Sequence, residues 1–161
     1  MNTPYTHRRQ NGSMLLEALI GILIFSFGVL GLVGLQTSSV KQSGDAKYRT
    51  DASMLANSLV SKMWVSDRSP ATLQANFVSP GGANYLAWLG TAANPAEGTV
   101  RNVMSGLNIE SHLPTVAVAN VAAVPGVPNT ETTLVTVTIY WHAPYEPAGT
   151  EHKYVLTTQI R

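Results

Sequence analysis

The sequence predicts an α+β protein, in which a long N-terminal α-helix has a membrane-spanning first half and packs, through its second half, against a small C-terminal antiparallel β-sheet. An uncharged apolar run at residues 18–35 and apolar residues at helical spacing up to about Val65 predict the helix. Alternating apolar and polar residues in the last third predict the sheet. With 161 residues, 45% hydrophobic and 12% charged, we expect one membrane helix and one small domain.

The apolar run reads ALIGILIFSFGVLGLVGL and follows Glu17 directly. As a helix its eighteen residues extend about 27 Å, close to the roughly 30 Å hydrocarbon core of a bilayer. Residues 1–16 contain Arg8 and Arg9 and no acidic residue. The positive-inside bias therefore predicts a cytoplasmic N-terminus, with the remaining chain on the other side of the membrane.

Glu17 lies directly before this run, at the end of the predicted membrane helix. A carboxylate at this position is energetically costly unless it reaches the headgroup region or finds a partner. A position at headgroup depth is one interpretation. A short basic leader, Gly12 and then Glu17 five residues later favour another, a signal cleaved after the glycine. An ordinary secretory signal peptide fits less well, because the run exceeds the usual length of about 7 to 15 residues and Glu17 separates the basic segment from the apolar one. An uncleaved membrane anchor is a further alternative.

Gly12, Ser13, Glu17 and the apolar run together resemble the N-terminus of type IV prepilins and pseudopilins. The resemblance implies that a prepilin peptidase cuts after Gly12 and methylates the new N-terminus at Ser13. It also implies that Glu17 accepts the free amine of a neighbouring subunit during filament assembly. A carboxylate in a dry helix bundle needs a cation, so this role is physically consistent. Ser13 departs from the phenylalanine that many major pilins carry there, which leaves the efficiency of methylation open.

Three glycines, Gly28, Gly31 and Gly34, recur every three residues within the run. Each costs a water-exposed helix about 1 kcal/mol relative to alanine, so they predict a weak point in the helix. Gly34 occupies the position where many major pilins have proline, and the resemblance favours a segment that loosens when the subunit enters a filament. Close helix packing in the membrane is the alternative explanation.

The second half of the helix has an apolar face formed by Tyr48, Ala52, Leu55, Leu59 and Met63. Pro70 is expected to end it, because proline disfavours helix in the preceding residue. The segments MLANSLVSKMWVSDRSP at residues 54–70 and GVLGLVGLQ at residues 28–36 resemble the PilV type of minor pilin. Segments this short do not separate that type from the minor pseudopilin I of type II secretion systems.

The remaining chain predicts a loop and then a sheet. Residues 70–95 are expected to form a loop with one short apolar anchor, and residues 97–107 a short helix. Val116 and Val118 indicate a first strand, Pro125 to Asn129 a turn, and residues 134–141 and 152–160 two further strands. In the second strand Val135, Val137, Ile139 and Trp141 share a face, and in the third Tyr154, Leu156, Thr158 and Ile160 do. We expect these faces to cover the helix face at Tyr48 to Met63, an architecture that the resemblance also implies.

The predicted organisation has five parts. They are a cytoplasmic leader (1–12), a transmembrane and filament-core helix (13–40), an amphipathic helix half in the domain (41–66), an αβ loop with a short helix (67–114) and an antiparallel sheet (115–161).

No catalytic, metal or cofactor site is indicated. The chain has no cysteine, which removes thiol catalysis and zinc thiolate sites. His142 and His152 flank one hairpin loop, but no third ligand is evident and His112 stands apart, so we expect surface histidines. Trp141, Tyr145 and Tyr154 are expected to pack at the core and its rim. The formal charge of +1 becomes −1 for the side chains without residues 1–12, a poor profile for a nucleic-acid binder.

The resemblance implies a non-enzymatic minor pilin that acts in a priming or tip complex and supports pilus biogenesis. Its implied partners are other major and minor pilins, the prepilin peptidase, the inner-membrane assembly platform, a tip adhesin, and membrane lipid before assembly, with no specific nucleic acid. The implied location is the inner membrane, with a periplasmic C-terminal domain, and then the filament. The alternatives are the secretion pseudopilin and a membrane-anchored extracytoplasmic binding or enzyme domain that keeps residues 1–12.

Overall fold

A computed structural model describes residues 11–107, 109–122, 132–147 and 149–161. The helices are α1 (Asn11–Val65), α2 (Pro70–Phe77), α3 (Ala83–Leu89) and α4 (Val100–Val103), followed by a 3-10 turn at Ile109–Ser111. The strands are β1 (Thr115–Val121), β2 (Thr132–Trp141) and β3 (His152–Ile160). A long N-terminal helix with a small antiparallel sheet confirms the predicted α+β fold class. The chain divides into two compact units, residues 1–43 and 44–161.

Helix α1 is a single α-helix of 55 residues and ends at Val65, where the sequence places its end. Within the second unit, its predicted apolar face is confirmed. Ala52, Leu55, Leu59 and Met63 are buried, and Tyr48 packs at the margin of the same core. This part of α1 therefore forms one wall of the domain.

The loop predicted across residues 70–95 contains two helices, so the prediction of a single short apolar anchor is right for α3 and wrong in leaving out α2. Pro70 lies five residues beyond the end of α1 and begins α2, since its fixed φ suits the first helical turn and its missing N–H has no partner there anyway. Leu73 and Phe77 of α2 are buried, and Tyr85 and Trp88 of α3 are buried beside them. The predicted anchor is α3.

Helix α4 is shorter than the predicted helix at residues 97–107. Gly98 and Gly106 have φ values of 78° and 84°, which a right-handed helix does not accommodate, so they limit it on both sides. Its apolar positions are nevertheless used, since Val100, Met104 and Leu107 are buried.

Arg101 of α4 fixes the connection between α3 and the 3-10 turn. Its Nε lies 2.6 Å from Oε1 of Glu110, its Nη2 3.1 Å from Oε2, and its Nη1 donates to the carbonyl oxygen of Gly90. Hydrogen bonding from Arg101 lowers the pKa of Glu110. One side chain thus joins three segments.

The sheet is antiparallel in the order β1-β2-β3, with β2 in the centre. Val137 lies opposite Val116 of β1 and Leu156 of β3. Val135, Val137, Ile139 and Trp141 are buried, and alternate residues of β3 from Tyr154 to Ile160 are at least partly covered, which confirms both predicted faces. The predicted turn at residues 125–129 lies outside the described residues, as does the leader up to residue 10.

Two buried aromatic side chains tie α3 to its neighbours. Trp88 donates from Nε1 to the carbonyl oxygen of Leu55 on α1 at 3.0 Å. Tyr85 donates from its hydroxyl to the carbonyl oxygen of Pro114 at 2.8 Å, and burial raises the pKa of Tyr85. Each ring therefore fills the core while its polar atom keeps a partner.

The outer edge of β1 is covered by the segment that joins α2 to α3. Ser79 donates its N–H to the carbonyl oxygen of Val116 at 3.2 Å, and its Oγ accepts from the N–H of Val116 at 3.0 Å. Gln74 donates from Nε2 to the carbonyl oxygen of Val118 at 3.4 Å. These contacts occupy the N–H and carbonyl groups of Val116 and the carbonyl of Val118, which a further strand would need at this end of β1.

Candidate functional site

The first half of α1 carries all of the residues for which the sequence predicts a role in processing or assembly. Among the described residues it is the one helix long and apolar enough to cross a membrane. Large apolar side chains between residues 14 and 35 are exposed on every side of the helix, from 42% for Val29 to 78% for Met14. Among the described residues of the first unit none covers a face of this stretch, and such an all-round apolar surface is suited to a membrane anchor.

The hydroxyl groups in and next to the apolar run are satisfied by the helix itself. Ser26 donates from Oγ to the carbonyl oxygen of Ile22 at 2.7 Å, and Thr37 donates from Oγ1 to that of Val33 at 3.0 Å. In a bilayer these groups need no external partner, because the backbone carbonyls supply one. They are compatible with a spanning helix.

Glu17 differs from those residues because an ionised carboxylate only accepts hydrogen bonds, and the helix backbone offers it no donor at this depth. Its side chain is exposed and forms no hydrogen bond or ion pair within the described part of the chain. The carboxylate is therefore available to a cation or a donor from outside the chain.

Gly12 and Ser13 lie in the first turn of α1, one turn before Glu17. Ser13 and Glu17 are four residues apart and thus on the same side of the helix. If the chain is cut after Gly12, the new amine and the carboxylate project from one helix face, where a neighbouring subunit can meet both.

Gly28, Gly31 and Gly34 lie inside the continuous helix. A Cβ built at any of the three has no atom within 4 Å. Packing within this chain therefore does not require glycine at these positions. A weak point in the helix remains a prediction for them.

The three predicted surface histidines have separate partners. His112 Nδ1 lies 2.7 Å from Oε1 of Glu151, and His152 Nε2 lies 2.7 Å from Oε1 of Glu146. His142 Nδ1 contacts the carbonyl oxygen of Thr150. The described residues hold no group of three side chains suited to one metal ion. These contacts organise the loop between β2 and β3.

The aromatic residues lie at the core and its rim, as expected. Trp141 is buried, and Tyr154 is partly buried with its hydroxyl 3.3 Å from Oγ of Ser53. Tyr145 lies at the rim and donates its hydroxyl to Oδ1 of Asp45 on α1. Because the carboxylate accepts from the neutral phenol, the pKa of Tyr145 rises to about 12.

Comparisons with protein-family models, with curated proteins and with solved structures returned no match for this chain. What supports an assignment is the residue pattern from Gly12 to Gln36 and the exposure of the helix that carries it.

Several contacts on the domain surface have no counterpart in the sequence analysis. His112 stacks on Tyr140 with ring centroids 3.6 Å apart and pairs with Glu151, which is 39 residues away. No local periodicity or spacing signals a contact between residues so distant in the chain. The strand registers account for it, because Thr115, which follows His112 closely, lies opposite Thr138 of β2, and Trp141 lies opposite His152, next to Glu151.

Proposed function

We propose that this chain is a minor pilin of the PilV type. It is held in the inner membrane by the first half of α1 and is then incorporated into a type IV pilus, in a priming or tip complex with other minor pilins. The observation that carries the proposal is the all-round exposure of the apolar side chains at residues 14–35, directly behind Gly12, Ser13 and Glu17.

A helix that is apolar on all sides suits two environments in succession. Lipid covers it before assembly, and neighbouring helices cover it in a filament. Glu17 is the exception in lipid, where an unpartnered carboxylate is costly. The amine of an adjacent subunit neutralises that carboxylate, so Glu17 makes transfer from lipid to the filament more favourable. A carboxylate in this apolar helix is therefore unfavourable in lipid but favours the transfer of the helix into the filament.

The second unit has its own core, built from the α1 face, the short helices and the sheet. Because this unit has its own core, it can stay folded while the apolar half of α1 moves from lipid into a filament. We assign this unit to the periplasm and then to the pilus surface, where it makes non-enzymatic contacts with other pilins.

Mass spectrometry of the isolated protein tests the signal. A mature chain that begins at N-methylated Ser13 is expected. Gly12→Val should block cleavage, while Gly21→Val, the same change inside the apolar run, should not. An intact Met1 in the wild-type protein contradicts the proposal and favours a membrane-anchored domain.

The role of Glu17 is tested by fractionating membranes and sheared pili from cells that carry Glu17→Ala. We expect normal amounts of the variant in the membrane and at least a ten-fold loss from the pilus fraction. Glu97→Ala, which removes an exposed acid in the domain, serves as the matched control and should assemble normally. Normal assembly of Glu17→Ala removes the role given to this carboxylate.

Deletion of the gene separates the pilus from the secretion system. Loss of surface pili and twitching is expected for the minor pilin. Loss of protein export with pili intact identifies the pseudopilin instead.

A further inference from the structure

The two edge strands of the sheet, β1 and β3, differ in whether their outward backbone groups have hydrogen-bond partners. On β1, Ser79 occupies both outward backbone groups of Val116, and Gln74 donates to the carbonyl oxygen of Val118. The hydrogen bonds of Val116 to Ser79 also show which residues of β1 point away from β2. Because backbone direction alternates along a strand, Thr115 and Ala117 are the residues that bond to β2.

The same alternation can be carried across the sheet. Thr115 and Ala117 lie opposite Thr138 and Thr136, so those residues of β2 face β1. The intervening residues of β2, such as Val137, face β3 and bond to Leu156. The outward residues of β3 are therefore the others in that strand, namely Lys153, Val155, Thr157 and Gln159.

This outer edge of β3 is open. The side chains of its four outward residues are exposed, and in the described parts of the chain no group hydrogen bonds to their backbone from the outer side. Strand β3 has nine residues. At about 3.3 Å per residue, the edge is long enough for a complete added strand.

The charges along this edge indicate what can bind. Lys153 and Arg161 lie at opposite ends, are exposed, and have no ion-pair partner among the described residues. The nearby acids Glu146 and Glu151 are engaged with His152 and His112. Between the two cations the outward residues are uncharged.

A second copy of this chain is a poor occupant. Antiparallel self-pairing over the whole strand centres on Thr157 and places Lys153 opposite Arg161 of the other copy. Like charges directly opposite each other destabilise a strand pair. The two cations therefore disfavour pairing of this edge with a second copy and favour a partner strand that carries acidic residues.

We propose that the open edge of β3 binds an extended segment of a partner protein by strand addition. The segment has an acidic residue at each end of a stretch of about nine residues, opposite Lys153 and Arg161. Its central residues are uncharged and β-branched, because those side chains pack well beside Val155 and Thr157. The inference does not depend on the filament role of α1.

Peptide binding to the full chain in detergent micelles tests the proposal. The probe is a fluorescent nine-residue peptide of alternating threonine and valine with aspartate at both ends, and the control carries lysine at both ends. We expect saturable anisotropy change with the acidic peptide and roughly ten-fold weaker binding of the basic one, from two exposed ion pairs replaced by repulsion. Hydrogen exchange of the outward amides of β3 should slow when the acidic peptide binds.

Two substitutions locate the site. Val155→Pro removes an outward N–H and leaves the bonds to β2 intact, so it should retain the fold by circular dichroism and lose at least ten-fold in binding. Lys153→Glu should weaken binding, whereas Lys62→Glu, the same charge change on α1, should not. If Val155→Pro does not fold, N-methylation of alternate peptide residues removes the same hydrogen bonds from the other side.

Equal binding of the acidic and basic peptides, or of the N-methylated peptide, overturns the proposal. Unchanged binding to Val155→Pro does so as well. A concentration-dependent dimer that Val155→Pro abolishes, without peptide binding, identifies a second copy as the occupant and equally overturns it.

Discussion

Leu59 offers a direct measure of how the two halves of α1 differ. It lies on the helix face that closes the domain core and has 0% exposed surface. Leu59→Ala leaves a cavity, and fully buried sites of this kind lose about 3 kcal/mol in free energy of unfolding. Leu30→Ala makes the same chemical change in the same helix, but Leu30 is 69% exposed. We expect that variant to change domain stability by less than about 0.5 kcal/mol.

Urea unfolding of the full chain in detergent micelles, followed by tryptophan fluorescence, measures both effects. Trp64, Trp88 and Trp141 all belong to the unit of residues 44–161, so the signal reports on that unit. With a urea dependence of roughly 2 kcal/mol per molar, Leu59→Ala should lower the midpoint by about 1.5 M and Leu30→Ala by less than about 0.3 M. A midpoint for Leu59→Ala equal to wild type, or an equal loss in both variants, refutes this division of the helix.

Three further predictions concern the backbone and two titrating contacts. Gly90→Ala should lower the melting temperature far more than Gly34→Ala. Gly90 has a φ of 86°, and a Cβ added there would lie 2.5 Å from a threonine Oγ1. A Cβ added at Gly34 has no neighbour within 4 Å. Since Arg101 lowers the pKa of Glu110, their stabilising contact is present above the ordinary carboxyl pKa of 4.5 and is lost as pH falls further. Glu110→Gln should therefore reduce the pH dependence of urea unfolding on the acid side. The pKa of Tyr145 is raised to about 12, so its contribution is present below about pH 10 and lost toward pH 12. Tyr145→Phe should remove one phenol that ionises near pH 12 in an ultraviolet titration.

Each of these predictions has a clear contrary result. Equal melting temperatures for the two glycine variants contradict the steric reasoning. If Glu110→Gln and the wild-type protein show the same pH dependence of urea unfolding on the acid side, the Arg101–Glu110 pair does not contribute to that dependence. Loss of an early phenol in Tyr145→Phe shows that its hydroxyl does not donate to Asp45.

Periodic patterns made much of the fold accessible from sequence. The spacing of Ala52, Leu55, Leu59 and Met63 predicts a buried helix face, and the alternation from Val135 to Trp141 predicts a buried strand face; both are confirmed. Such patterns are reliable where one side of an element meets a core, because burial then selects residue type at a fixed period. The pattern in the apolar half of α1 predicts a helix but has no buried side to check.

Contacts that join several segments could not be predicted from the sequence. Pro70 begins α2, whereas sequence alone indicated only a helix stop at this proline. Arg101 reaches Glu110 and Gly90 because glycine turns bring three segments together. The Gly12 to Glu17 pattern is different in kind, since its meaning depends on an enzyme and on other subunits. A single folded chain cannot reveal such a role.

The coverage of β1 by Ser79 also has a consequence for stoichiometry. A sheet with two open edges can accept a strand on each side, and repeated addition then gives a polymer. Here the β1 side is already partly occupied, because Ser79 takes both outward backbone groups of Val116. Strand addition is therefore expected on the β3 side, and one molecule presents one such edge to a partner.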